Sequence, residues 1–429
     1  MNYGKMSIST AMPAQLFTLS ANTEQELRSQ VARIKCELHI NRCEGGQSRL
    51  ERIVRSHDTN EFRLGVVYES IEHLISLLDS FEERIARDSV SFGRGLLPRR
   101  PKVAFMFSGH GGHWWAMGVQ LFNAFDVYRD AINLCDQRIR ALANWSLIEL
   151  MHKPGGEDLL DDTFFAQPAI FALQVALVKL WESWGVYPDA LVGRSVGEVA
   201  ASHIAGCMTL DQAVELLVSR ARAMQAAPGG AMLSVALSPD ELRSYTAVRQ
   251  GYISIAAVNG PRACIASGYL SQIESLRMAL MIENIESNML PIKYAFHSSC
   301  MSACRESFRS AIVDFSGSMP SVPIVSTVTG NWVGREMGAA EYWASNMTQP
   351  VLFAPSVKVL ADSGITAFVE IGPHLPFSQG ISEVAGPDAI SIASMDRKKP
   401  EVVTILRSLS RLYVHGYATN ADPLDCTVD

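Results

Sequence analysis

In the segment LVGRSVGE, Ser195 stands between Gly193 and Gly197, the G-x-S-x-G spacing of a nucleophile elbow. Small residues on both flanks let a sharp strand-to-helix turn lift the hydroxyl clear of a sheet, at a helix N-terminus where developing negative charge is favoured. A serine hydroxyl is a weak nucleophile until an imidazole removes its proton, so one of the ten histidines must reach it through the fold. The Gly-rich turn SGHGG follows the apolar VAFMF; it lacks G-x-G-x-x-G spacing and a P-loop lysine, which argues against a nucleotide site. The helical stretch DQAVELLVSRARAM carries Arg220 and Arg222. A planar guanidinium binds a carboxylate through two parallel hydrogen bonds, and either arginine fits that task or a plain surface charge.

The chain that must position these groups has 429 residues, enough for two or three folding units or for one large α/β core with insertions. An apolar fraction of 48% with 19% charged residues excludes disorder and low complexity. The net charge of −7, with no basic run of five, argues against nucleic acid as a partner. Eight scattered cysteines without a C-x-x-C pair signal neither a disulfide framework nor a zinc site, so reduced thiols and a cytoplasmic setting are expected. The start is polar, and the most apolar stretch, 164–180, is broken by Gln167, Gln174 and Lys179. Neither a signal peptide nor a membrane span is expected.

After a loose extension to about Ala14, LFTLSA and FRLGVVYES read as strands, and 24–38 and 71–85 as helices, giving a small α/β unit. SVSFGRGLLPRRPK reads as an exposed connection, with a boundary near Arg99. VAFMF, the SGHGG turn and a helical WWAMGVQLF form one strand, turn and helix; 190–192, the elbow and EVAASHIAG form another. Two such units imply a parallel, doubly wound sheet. From Ala231 the order strand, helix, strand, strand, helix, strand is a ferredoxin-like insertion. PIVSTV and ITAFVEI return to the parent sheet, and VVTILRSLSRLYVHG is a final helix before a polar end.

Seven blocks, FMFSGHGGHWWAMG, LVGRSVGEVAASHIAG, SRARAMQ, AAVNGPRACIASG, KYAFHS, STVTG and FVEIGPH, stand in that order. Through them the chain resembles the acyltransferase domain of modular polyketide synthases and the related malonyl-CoA:acyl carrier protein transacylases, from about Leu16 to about Tyr417. The resemblance implies an α/β-hydrolase-like catalytic domain with a parallel sheet over 100–230 and 300–394, with the ferredoxin-like subdomain at 231–299. It makes 1–99 an extension plus the α/β linker domain that joins a ketosynthase, and leaves 395–429 as a C-terminal helix and tail.

Residue by residue, the resemblance implies Ser195 as nucleophile and His297, 102 positions later, as general base. The imidazole would be oriented by main-chain carbonyls near QPVLF, around Val351 or Leu352, and not by an aspartate. SGHGG matches a family turn in which the N–H groups of His110 and Val196 would form an oxyanion hole. Arg220, 25 positions after the serine, matches the arginine that binds a substrate carboxylate. Glu198, Asn259 and Gly260 match positions read as shaping the local structure, Trp114 and Trp115 read as wall or core aromatics, and His374 as a supporting residue. Arg194 replaces the family's usual histidine, either as a pocket wall for an anionic substrate or turned away into a salt bridge.

The expected function is transfer of a carboxyacyl unit, malonyl foremost, from CoA through an acyl-serine to the phosphopantetheine thiol of an acyl carrier protein in polyketide synthesis. Val196, TFFAQ and Phe296 point to malonyl, because the benzyl group fills the space of an α-methyl branch, whereas Tyr294 pulls toward larger units. The alternatives are methylmalonyl or another substituted malonyl unit, an acyl hydrolase, and a non-catalytic docking module. The partners implied are the carrier protein, the acyl-CoA and a ketosynthase through the N-terminal unit. No metal or redox cofactor is implied, and a free-standing enzyme and a domain of a larger synthase fit equally.

Overall fold

The computed structural model describes residues 14–40, 60–95, 101–153, 155–374 and 378–416. The expected extension before Ala14, the polar end after Gly416 and the stretch 96–100 around the expected boundary lie outside them. The chain divides into two units, one of 1–101, 183–186 and 399–429, the other of 102–182 and 187–398.

In the first unit, β1 (Gln15–Ala21), β2 (Phe62–Tyr68) and β3 (Val90–Arg94) form an antiparallel sheet in that order. Successive side chains alternate between its faces. Phe17, Leu19, Leu64 and Val66 face the helices Glu24–Ile40 and Ile71–Glu82 and share one core with them. The opposite face, through Gly65 and Gly93, receives the helix Glu401–Val414. A Cβ on Gly65 would stand 2.2 Å from Ser410 Oγ, so the close approach requires glycine. The buried Arg63 closes the contact, its Nη1 donating to the Tyr413 carbonyl at 3.0 Å. The helix expected to belong to a separate tail at 395–429 thus packs on the N-terminal sheet. The expected exposed connection is corrected too: 90–94 is a strand, because Val90 and Phe92 pair with Val66 and Leu64 of β2.

In the second unit, β4 (Lys102–Phe107), β5 (Ala190–Gly193), β10 (Ile324–Val325), β11 (Ile365–Ile371) and β12 (Ile390–Ala393) form a parallel sheet in the order β10, β5, β4, β11, β12. The α/β class and the parallel sheet are as expected. The helix Thr163–Ser183 is long and apolar enough to cross a membrane, yet it is largely buried as the core helix of this unit. The polar breaks in it have partners: Gln174 Nε2 donates to the carbonyls of Ser108 (2.7 Å) and Ile371 (3.1 Å), at the ends of β4 and β11.

The insertion forms an antiparallel sheet of β6 (Ala231–Val235), β7 (Ile253–Gly260), β8 (Ala263–Gly268) and β9 (Ser287–Met289), in the order β7, β8, β6, β9. With the helices Pro239–Ser244 and Leu270–Ile282, this is the ferredoxin-like arrangement read from the sequence. One local reading is corrected. WWAMG is a turn and the helix begins at Val119, because Ala116 (φ 61°) and Gly118 (φ 83°) are left-handed, a conformation no α-helix admits.

Candidate active site

β5 ends at Gly193 beside Phe107 of β4, and the chain turns through Ser195 into the helix Gly197–Ile204. Ser195 has φ 53°, a left-handed conformation that costs a non-glycine residue about 1–2 kcal/mol. Its neighbours permit the turn. A Cβ on Gly193 would lie 2.4 Å from the Glu198 backbone, and one on Gly197 would lie 2.4 Å from the Phe107 carbonyl oxygen. The loop after β4 is pressed against the elbow, where a Cβ on Gly109 would meet the Arg194 carbonyl oxygen at 2.8 Å.

Ser195 Oγ lies 2.7 Å from His297 Nε2. His297 Nδ1 lies 2.9 Å from the Gln349 carbonyl, which can only accept, so Nδ1 carries the proton and Nε2 is free to accept the serine hydroxyl. Burial pushes the imidazole down to about 3, the Arg220 charge adds to that, and the Gln349 carbonyl opposes it. The ring is therefore neutral near pH 7. The orienting carbonyl lies in the expected QPVLF segment, but it is that of Gln349 and not of Val351 or Leu352. Val351 O already accepts from Val258 N, and Leu352 O from Ser356 N, so both carbonyls are committed to the backbone.

Arg220 is 1% exposed. Its Nη2 lies 3.3 Å from Ser195 Oγ and 3.3 Å from Asn346 Oδ1, and its Nη1 donates to Gln167 Oε1 at 2.5 Å. Burial lowers its pKa to about 10, against the opposing charge of Glu198, so it stays cationic at neutral pH. Arg222, two positions on, donates to the Leu142 carbonyl from an exposed position and takes no part in the site. The structure thus separates the two arginines that the sequence alone left equal.

A cavity of about 300 Å³ opens beside Ser195 between the parent sheet and the insertion. Arg194, His110, Phe296, Asn259 and His374 line it. Arg194 therefore faces the cavity; burial lowers its pKa to about 10 while the Glu370 charge raises it. Tyr294 stacks on Phe296 (centroids 5.1 Å, planes 13° apart) and is not itself among the lining residues, so it acts on the cavity through that ring. The His110 ring stands edge-on to Phe296 at 5.6 Å and to His113 at 4.6 Å. Burial, with the charges of His113 and Arg220, pushes it down to about 3. Trp115 donates to the Leu150 carbonyl and is not among the residues that line the cavity.

One residue with a direct place here, Asn346, was not marked by the sequence at all. Gln167 stood out only as a polar break in an apolar stretch and as the end of TFFAQ, and Gln349 only as the start of QPVLF, since it offers a carbonyl that no side chain announces.

Residues 104–419 match the sequence profile of the acyl transferase domain family. The chain is 32% identical over 416 residues to polyketide synthase GfsA of Streptomyces halstedii, covering 95% of this chain and 6% of that protein. It is 33% identical over 414 residues to mycoketide-CoA synthase of Mycobacterium tuberculosis, covering 95% of this chain and 10% of that one. It therefore spans about a tenth or less of these relatives. Among solved structures, the acyltransferase domain from module 8 of the salinomycin polyketide synthase superposes with a TM-score of 0.86 at 29% identity, covering 94% of this chain and 96% of that one. The acyltransferase domain of SpnD, in complex with 2-(pent-4-yn-1-yl)malonyl, gives a TM-score of 0.83 at 26% identity, with 95% and 97% covered.

Proposed function

The chain belongs to the acyl transferase domain family, as an acyltransferase domain of the polyketide synthase type, and from that premise we propose that it carries malonyl from CoA to an acyl carrier protein through an ester on Ser195. The observation that carries this reading is the meeting of two groups at the serine oxygen: His297 at 2.7 Å and Arg220 at 3.3 Å from Ser195 Oγ.

In the first half-reaction, Ser195 Oγ attacks the thioester carbonyl while its proton passes to His297 Nε2. The charge that develops on Nδ1–H is supported by the Gln349 carbonyl. The main-chain N–H groups of His110 and Val196 stabilise the tetrahedral oxyanion, a contribution of about 3 kcal/mol for one such donor. Collapse breaks the C–S bond, and the CoA thiolate takes the proton back from His297. In the second, the phosphopantetheine thiol gives its proton to His297 and attacks the ester carbonyl, and Ser195 leaves with that proton. Arg220 holds the free carboxylate of the acyl group, whose second oxygen can take a hydrogen bond from Gln167 Nε2 once that amide releases Thr163.

For the identity of the unit, Phe296 is 5% exposed and lines the cavity, which supports malonyl over methylmalonyl. The stacked Tyr294 holds that ring in place. Overpacking by one methyl group costs about 1–3 kcal/mol, so a preference of about tenfold to a hundredfold is expected. Competing the two CoA esters at equal concentration and weighing the carrier protein tests it; predominant methylmalonyl loading would show that Tyr294 and Arg194 shape the pocket more than Phe296 does.

A further inference from the structure

The side chain of Asn346 joins Arg220 to a buried acid. Its Oδ1 accepts from Arg220 Nη2 at 3.3 Å, while its Nδ2 donates to Glu198 Oε2 at 2.9 Å and to the Ser195 carbonyl at 3.3 Å. The two ends of the amide are therefore distinguished, one facing a cation and the other an anion. Glu198 is fully buried and takes further hydrogen bonds from the Thr327 N–H (2.5 Å), Thr327 Oγ1 (2.6 Å) and Tyr342 OH (2.7 Å).

A carboxylate in a dry interior is costly unless it is paired, and a residue needed only to pack the helix after the elbow would be apolar. Glu198 instead sits three positions after Ser195, within electrostatic reach of a guanidinium that is itself buried. Tyr342 and Asn346 come from one helix, Ala340–Thr348, one turn apart, so that helix supplies two of the donors that hold the acid.

We propose that Glu198 and Asn346 are positioning residues: together they hold the Arg220 guanidinium beside Ser195, and so set the preference for carboxyacyl over uncharged acyl groups. This rests on Arg220 as the reader of the substrate carboxylate. Without the Asn346 bridge, Nη1 of the guanidinium keeps Gln167 as a partner, but Nη2 is left with the Ser195 hydroxyl alone and with no anchor outside the reacting group.

The test compares Arg220→Ala, Asn346→Leu, Glu198→Gln and Tyr342→Phe as full chains. Ser195 acylation is followed over a range of malonyl-CoA and acetyl-CoA concentrations, giving half-saturation and maximal rate for each donor, with the thermal midpoint beside them. Asn346→Leu and Glu198→Gln are expected to lower the malonyl-to-acetyl ratio by about tenfold, mainly through a raised half-saturation for malonyl-CoA, and Tyr342→Phe by about twofold. A packing role alone slows both donors together and leaves the ratio at the parent value, which overturns the proposal. Should the two larger changes fail to fold, Tyr342→Phe, which removes one hydroxyl, decides by the same ratio. If Arg220→Ala keeps the parent ratio, the carboxyacyl reading falls and the proposal with it. If Arg220→Ala loses the ratio and the others keep it, only the positioning role is refuted.

Discussion

Ser195 and His297, 102 positions apart, are both left-handed, with φ of 53° and 56°, and their side chains meet at 2.7 Å. Neither is glycine, so each conformation is held by its surroundings at a cost of about 1–2 kcal/mol. At Ser195 these are the close-packed glycines of the elbow. At His297 the next residue closes the turn, Ser298 Oγ donating to the Ala295 carbonyl at 2.6 Å. Strain at both partners of one hydrogen bond places the geometry in the fold and not in the side-chain rotamers alone.

Incubation with malonyl-CoA is expected to add one malonyl group on Ser195, read by intact mass and peptide mapping. Ser195→Ala removes the adduct, and His297→Ala slows its formation by about 10²-fold or more. A labelled peptide lacking Ser195 would refute the assignment.

Gly197→Ala is expected to abolish loading and to lower stability by about 1–3 kcal/mol, because its methyl group meets the Phe107 and Ser108 carbonyl oxygens at 2.4 and 2.6 Å. Chemical denaturation alongside the loading assay checks it; a variant with parental stability and rate would show that the elbow can open.

The dependence on pH has a definite sign. Burial holds His297 and His110 near 3 in the folded protein, against 6.5 for an exposed imidazole. Between these values the unfolded chain binds more protons, so stability is complete above about pH 6.5 and is lost as the pH falls toward 3. The thermal midpoint should drop from pH 7 to pH 5, less steeply in His110→Gln. A midpoint independent of pH over that range would mean that the imidazoles ionise freely in the folded state.

Phe296→Ala should bring methylmalonyl loading to within about threefold of malonyl by removing the ring that occupies the α-branch space. An unchanged ratio in the competition assay would shift the discrimination to the other cavity walls.

How much of this was legible follows from the range of each signal. Ser195 announces itself because the steric demands of the elbow fall on residues two positions away. His297 and Arg220 are isolated residues, and only their surrounding motifs marked them. Asn346 and Gln167 acquire their places by meeting Arg220 across 126 and 53 positions, which no local pattern encodes. The strand Val90–Arg94 was hidden among Gly, Pro and basic neighbours, and the four-residue β12 is too short to show a period. The turn at 114–118 misled because Ala116 adopts a left-handed conformation without being glycine.

The bond between Arg63 and Tyr413 spans 350 positions and belongs to a unit built from the first and last parts of the described chain. A ribosome adding about 5–20 residues per second delivers those two residues roughly 20–70 seconds apart. Throughout that interval the face of β2 that carries Arg63 and Gly65 has no helix to cover it, although the sheet's other face can already close on its two helices. This unit thus closes only after the other unit's residues have been made, and a fragment ending before Glu401 would carry an uncovered sheet face prone to self-association.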